Sequence, residues 1–331
     1  MNQFEQRSQR GAALITVLMI VAAMSAVALG VTQAVLHATE RARALDGQAQ
    51  LRYYAIAAEA AARARLFETL GPIEGHLSSD YPGYGEAQLI PVEGGQFFVT
   101  VRDATNCFNL NSLVRRADDN SLESDLEQVD RLIDLFNQSE VETLDAVSLS
   151  SAILDWMDRD SIAATGGAED SYYLGLSPSY RTAGQPLASL QELRAIRGFD
   201  AETYTALKAL LCVRPPETEG PPHRLNLNTL EELHAPLLTQ LLPSTLTLEE
   251  AQALIANRPL GGWPDLAAFQ QEPLLAQIDP SLIDAQRLSV QTSLVEVQAD
   301  VSYRDQTMRI RFLFETLPGK PVRTLQRQRI G

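Results

Sequence analysis

Positive charge is what this sequence most lacks. Its 331 residues carry 42 aspartates and glutamates against 27 lysines and arginines, a net charge of −15. That field repels a phosphate backbone and weighs against nucleic-acid binding. Histidine and cysteine are scarce as well. The four histidines (His37, His76, His223 and His234) are scattered, and neither cysteine is paired with a base in sequence. No stretch argues for a nucleophile with its base or for paired glycosidase carboxylates, so a non-enzymatic protein is expected. Hydrophobic content of 45% and charged content of 21% exclude wholesale disorder.

Proline is absent before Pro72, and what fills that space is helical. Two arginines and Gly11 precede an uncharged apolar run from Ala12 to about Leu36. At 1.5 Å per residue, such a run crosses a hydrocarbon core of ~30 Å as one helix. The cations before it favour a cytoplasmic N-terminus, with the rest of the chain outside. Three readings stand: an uncleaved anchor, a secretory signal peptide, or a short basic leader cut after Gly11. The run exceeds the 7–15 residues of a signal-peptide core, and the helical pattern continues past it. One helix over 12–70 is expected, with 12–36 in the membrane. Ile56, Ala60, the stem of Arg63 and Phe67 recur at helical spacing on one face. Gly47 is a point where the helix could loosen.

Residues 71–95 read as loop, with a turn cluster at Tyr81-Pro82-Gly83-Tyr84-Gly85. Gln96–Asp103 alternates as a strand. Ser293–Asp300 and Val301–Phe314 alternate again, with a turn at Asp305-Gln306. These segments predict one antiparallel sheet split by a long helical insertion, an α+β fold. Inside the insertion the chain repeats itself. Asn109-Leu110-Asn111-Ser112-Leu113 is echoed by Asn226-Leu227-Asn228-Thr229-Leu230, where Asn228 or Thr229 is placed to cap a helix. The first copy precedes helical stretches at 124–137, 149–156, 187–197 and 201–211. The second precedes stretches at 233–242, 248–257 and 266–272. A proline-rich linker over 215–223 separates two subdomains, 107–214 and 224–290. The sheet then comprises 71–106 and 291–317, and 318–331 reads as a C-terminal tail. The second subdomain, RLNLNTLEEL and LTLEEAQALIANRPLGGWPDLAAF, resembles a helix-hairpin-helix (SAM-like) module, and Leu190–Phe199 offers a similar turn in the first. Such modules present hairpin amides to DNA phosphates, but the acidic surroundings favour a structural use. A membrane-anchored DNA-binding protein that uses these modules is the alternative.

One run carries metal chemistry. Asp155, Asp158, Asp160, Glu169 and Asp170 fall within sixteen residues, crowded enough to repel one another with only Arg159 among them. A hard cation such as Ca²⁺ takes six to eight oxygens from a flexible chain. Asp158, Asp160 and Glu169 match positions 1, 3 and 12 of an EF-hand loop, but Ile162 and Ala163 stand where a ligand and glycine are required. It is not an EF-hand. Gly166 and Gly167 could fold the loop back on the aspartates, and a solvated acidic loop is the other reading. Cys107 and Cys212 read either as a disulfide, if the body is exported, or as two separate buried thiols.

Together these features resemble the K-type minor pseudopilin of the type II secretion system (general secretion pathway protein K) over nearly the whole chain. The likeness rests on the Arg10-Gly11 leader, the long helix, the split sheet, the repeated Asn-Leu-Asn segments and the run Asp155 to Tyr173. Most pilin-like proteins carry glutamate at the fifth mature position, here Thr16, and its loss suits this family. The resemblance implies a pilin-like fold and a structural Ca²⁺ held among Asp155, Asp158, Asp160, Glu169 and Asp170. It also implies cleavage by prepilin peptidase between Gly11 and Ala12, with N-methylation of Ala12. The body would be periplasmic, on a single-pass inner-membrane anchor. The role implied is to cap the pseudopilus tip with the I-type and J-type minor pseudopilins and to help initiate assembly. The major pseudopilin, the inner-membrane secretion platform and secreted proteins are further partners, and nucleic acid is not.

Overall fold

The computed structural model describes residues 3–71, 73–116, 121–139, 145–214, 224–242, 245–317 and 319–330, with backbone alone at 3–13 and 116. Helix α1 runs unbroken over Gln3–Leu70. It therefore begins upstream of residue 12, because nothing in the preceding segment stops a helix. Every described side chain from Leu14 to Asp46 is exposed, and this helix is long and apolar enough to cross a membrane. From Gly47 onward it packs on a sheet. Gly47 does not loosen the helix: a Cβ there would stand 2.8 Å from the Gln306 side-chain oxygen. Gln306 Nε2 reaches across to donate to the Ala44 carbonyl at 3.2 Å. Glycine here lets a hairpin touch the helix.

The buried face of α1 is Leu51, Ala55, Ala58, Leu66 and Leu70. The face expected from sequence is the outer one, with Ile56 59% and Phe67 58% exposed. Both faces carry apolar residues, and the sheet selects the one whose alanines allow close approach.

Five antiparallel strands form that sheet, in chain order: β1 Gln88–Val92, β2 Gly95–Asp103, β3 Leu294–Tyr303, β4 Gln306–Glu315 and β5 Arg323–Ile330. Val295, Val297, Ala299 and Val301 of β3 lie opposite Phe314, Phe312, Ile310 and Met308 of β4. All eight are buried with α1. Two strands correct the sequence reading. β1 sits in the segment read as loop, and its Pro91 is tolerated because the strand is an edge. β5 occupies most of the expected 318–331 tail. It is fastened to α1 by Glu59, 5% exposed, which accepts from Thr324 Oγ1 at 2.8 Å and pairs with Arg327.

Between β2 and β3 the insertion has its own core. It contains α2 Leu126–Asn137, α3 Ala146–Met157, α4 Asp170–Tyr173, α5 Ala201–Leu207, α6 Ala235–Thr239, α7 Leu248–Ala256 and α8 Leu266–Gln270. It is not all-α. Residues 108–109 pair with 211–212 in parallel, 225–226 with 288–289 in parallel, and 114–116 with 122–124 antiparallel. The expected linker 215–223 lies outside the described residues.

The two parallel ladders mark a true structural repeat. Asn111 Nδ2 donates to the carbonyls of Leu187 and Arg214, and its oxygen accepts from Leu187 N. Asn228 Nδ2 donates to the carbonyls of Trp263 and Val290, and its oxygen accepts from Trp263 N. Asn228 is thus a clip across its subdomain rather than a helix cap. Asn226 does the local capping, accepting from Asn228 N at 3.1 Å. Cys107 and Cys212 form a disulfide beside the first ladder, with Cα atoms 5.7 Å apart. It staples the two ends of the first subdomain.

The ends of the insertion meet at one polar knot. Asn226 Nδ2 donates to Asp103 Oδ2 and to Thr292 Oγ1, both at 2.8 Å, and Thr292 Oγ1 donates to Asp103 at 2.6 Å. Asn106 exchanges hydrogen bonds with the Asn226 backbone. Asn226 is fully buried, and each partner it leaves unmet costs about 1–3 kcal/mol. Asn226→Ala should therefore lower the urea midpoint of the full chain by more than any single loss of a surface ion pair. Equilibrium unfolding followed by circular dichroism measures it.

Candidate metal centre

The acidic run is shaped by the end of α3. Asp155 lies in its last turn, 1% exposed, and Asp158 is the residue that caps it. The loop then turns back at Gly166, whose φ of +80° suits glycine. At Gly167 a Cβ would stand 2.1 Å from the Asp155 carboxylate, so this position requires the missing side chain. Arg197 Nη1 holds the turn by donating to the Gly167 carbonyl at 2.9 Å. The fold-back brings Glu169, 4% exposed, over the helix end. Trp156 in the last turn of α3 packs edge-on against Tyr173 and Tyr180, which lie tilted against each other.

Asp155, Asp158 and Glu169 converge, with one carboxylate oxygen from each lying within 4.8 Å of the others. Asp155 is partly satisfied by the amide of Ala164 at 3.2 Å. Asp158 Oδ1 and Glu169 Oε1 are buried without a hydrogen-bond partner. Burial first, then the charge of neighbouring carboxylates, pushes Asp158 up to about 6 and Glu169 up to about 7. Asp155 is raised as well, chiefly by burial. Three crowded, oxygen-only donors with orphaned lone pairs fit a hard divalent cation. They do not fit zinc or copper, which take nitrogen or sulfur.

The other two acidic residues sit elsewhere. Asp160 is exposed, its carboxylate turned onto the amide of Ile162 at 2.7 Å, and it reaches the trio through its charge. Asp170 points away. It accepts from Thr182 N and Oγ1 at 3.0 Å and pairs with Arg181 at 2.9 Å. Those bonds, led by the Thr182 amide, hold it below the usual carboxylate range. Neither Arg181 nor Thr182 stands out in the sequence, so Asp170 could not be told from the trio there. Gly11 and Ala12 lie within α1, with backbone alone described.

The raised acids set a pH dependence for the metal-free chain. Between pH about 4 and about 7 the folded state binds protons that the unfolded chain has released. Stability therefore falls as pH rises through that window. Thermal unfolding in a chelator should show the decline, and Asp158→Asn with Glu169→Gln should flatten it.

Comparison with known proteins places the chain in a family. A family model described as type II secretion system protein K matches residues 106–216 as its first domain and residues 225–291 with a second model. The chain is similar to the type II secretion system protein K of Klebsiella pneumoniae, 35% identical over 82% of each chain. It is 33% identical to that of Pectobacterium carotovorum subsp. carotovorum, over 97% of this chain and 96% of the relative. Among solved structures it is similar to a chain of the GspK-GspI-GspJ complex from the enterotoxigenic Escherichia coli Type 2 Secretion System. There the TM-score is 0.72 at 29% identity, covering 88% of this chain and 99% of the other. The chain belongs to the type II secretion system protein K family.

Proposed function

We propose that this protein is the minor pseudopilin that caps the tip of the periplasmic pseudopilus and helps start its assembly with I-type and J-type partners. The observation that carries this reading is the asymmetry of α1. Its apolar surface is exposed from Leu14 to Leu36 and recurs at Tyr53, Ile56 and Phe67, while the sheet and both helical subdomains gather beyond Gly47. Neighbouring helices can pack along the free surface, and the bulky insertion leaves no room for a similar subunit above. Prepilin peptidase cleaves after Gly11, Ala12 is methylated, and the helix is a single-pass inner-membrane anchor with the body in the periplasm. Thr16 brings no carboxylate to pair with another subunit's terminal amine, which suits the first subunit of a filament.

The helical subdomains act as structural helix-hairpin-helix modules, supported by the matching Asn111 and Asn228 clips. Asp155, Asp158 and Glu169 hold a structural calcium ion, which would neutralise the trio and fix the fold-back loop against α3.

Mass-spectrometric reading of the mature chain should find Ala12 at the N-terminus, and an intact Met1 would overturn the processing. Co-purification with the I-type and J-type ectodomains tests the tip assignment, and failure to associate with either removes it. Calcium should raise the melting temperature of the unmutated chain. Asp158→Asn or Glu169→Gln should abolish that rise, and Asp170→Asn should leave most of it.

A further inference from the structure

Between the insertion and the sheet face turned away from α1 lies a solvent-open cleft of about 620 Å³. That volume is typical of a ligand site, and none of the roles proposed for the chain uses it. Its floor follows from strand alternation. The inward residues of β2, β3 and β4 go to α1, so Arg102, Glu296 and Arg311 turn the other way. Arg102 lies opposite Glu296, Arg311 lies opposite Gln328 of the edge strand β5, and Gln326 lies opposite Leu313. The insertion supplies the far wall with Ser189, Gln191 and, at the end of α5, Lys208.

Charge is unevenly met in this cleft. Asp103 borders it, but all its acceptor capacity goes elsewhere. Its Oδ1 accepts from the amide and hydroxyl of Thr105, and its Oδ2 from Asn226 and Thr292. Glu231 pairs with Arg102 Nη1 at 3.0 Å, and Glu296 with Arg311 Nε at 3.2 Å. A guanidinium has five N–H donors in a planar fork. Both arginines are half-exposed, so each keeps donors for a second acceptor. Lys208 adds an exposed ammonium, and Arg214, buried in the wall, a fourth positive charge. Burial pushes the neighbouring His234 down, so it stays uncharged at neutral pH. Four cations thus stand against two carboxylates, Glu231 and Glu296, in a chain whose net charge is −15. Burial holds Glu296 above the usual carboxylate range even with Arg311, Arg102 and Arg214 around it. Charge here is therefore weakly screened.

We infer that the cleft between sheet and insertion is a docking site for an acidic peptide segment of a partner protein, its carboxylates held by Arg102, Arg311 and Lys208. A guanidinium fork matches a carboxylate in two parallel hydrogen bonds. The rest of the lining selects a peptide. Gln191, Gln326 and Gln328 offer amides that match a polypeptide backbone, and Leu190, Leu233 and Leu313 give apolar ground between the charges. A small oxyanion would leave most of the cleft unfilled, and a long polyanion would meet the acidic field of the whole chain. The inference does not depend on the tip assignment.

The test uses the full chain in detergent micelles and a fluorescein-labelled hexaglutamate peptide, read by fluorescence anisotropy at low salt. The unmutated chain should bind hexaglutamate saturably and should not bind hexaglutamine. Arg102→Gln and Arg311→Gln should each weaken binding about fivefold, the loss expected of one half-exposed charge pair. Glu296→Gln removes the competing carboxylate while keeping its shape, and should tighten binding. A gain of that kind cannot come from damage to the fold. Arg65→Gln, on an exposed face of α1, should change nothing. The inference is overturned if the unmutated chain shows no saturable binding, if hexaglutamine binds equally well, or if none of the three cleft variants alters affinity. Displacement of the peptide by inorganic phosphate at equal concentration of charge would also overturn it, by assigning the cleft to small oxyanions.

Discussion

The closure of the chain at Asp103, Asn226 and Thr292 is the constraint on which the rest depends. β2 ends at Asp103 and β3 begins at Leu294, neighbours in the sheet with Asp103 opposite Val295. Everything between must leave and return within one strand spacing. A loop of that length has a large closure entropy, and the buried hydrogen bonds among Asp103, Asn106, Asn226 and Thr292 fasten it. The disulfide closes a smaller loop inside it. Beyond these ends the sheet meets the insertion through surface contacts such as Arg102 with Glu231 at 3.0 Å and Gln328 Nε2 with Ser189 Oγ at 3.5 Å. The insertion can carry its own core and its own site without disturbing the packing of α1.

Within the insertion, the repeat explains where the acidic site comes from. In the second subdomain the chain passes from α7 to the Asn228-clipped Trp263 by a short turn. In the first, the equivalent passage from α3 to the Asn111-clipped Leu187 contains the whole acidic loop and α4. The carboxylate trio is thus an elaboration of one hairpin. The clip ensures that the lengthened loop still re-enters the subdomain at the same place.

What could be read from the sequence follows from how local its cause is. The alternation of β2, β3 and β4 was legible because each buries one face against α1. The repeated Asn-Leu-Asn segments were legible as a pattern, but not the role of Asn111 and Asn228, since their partners lie 35 to 103 residues away. Edge strands gave no signal: β1 contains Pro91, and β5 alternates cations with glutamines rather than apolar residues. The inward face of α1 depended on which surface the sheet would meet. The acidic loop was visible as a charge cluster, yet its division into Asp155, Asp158 and Glu169 on one side and Asp170 on the other depended on Arg181 and Thr182, which only the fold brings near.

Glu59 has a consequence for how tightly helix and sheet are coupled. A carboxylate sealed between the two is costly unless it is partnered. Arg63 stands one turn away on α1, and the partners across the interface, Thr324 and Arg327, belong to β5. The helix therefore recognises β5 by charge as well as by apolar contact. Peeling that edge strand away would strand the carboxylate in the interface, so helix and edge strand open and close as one unit.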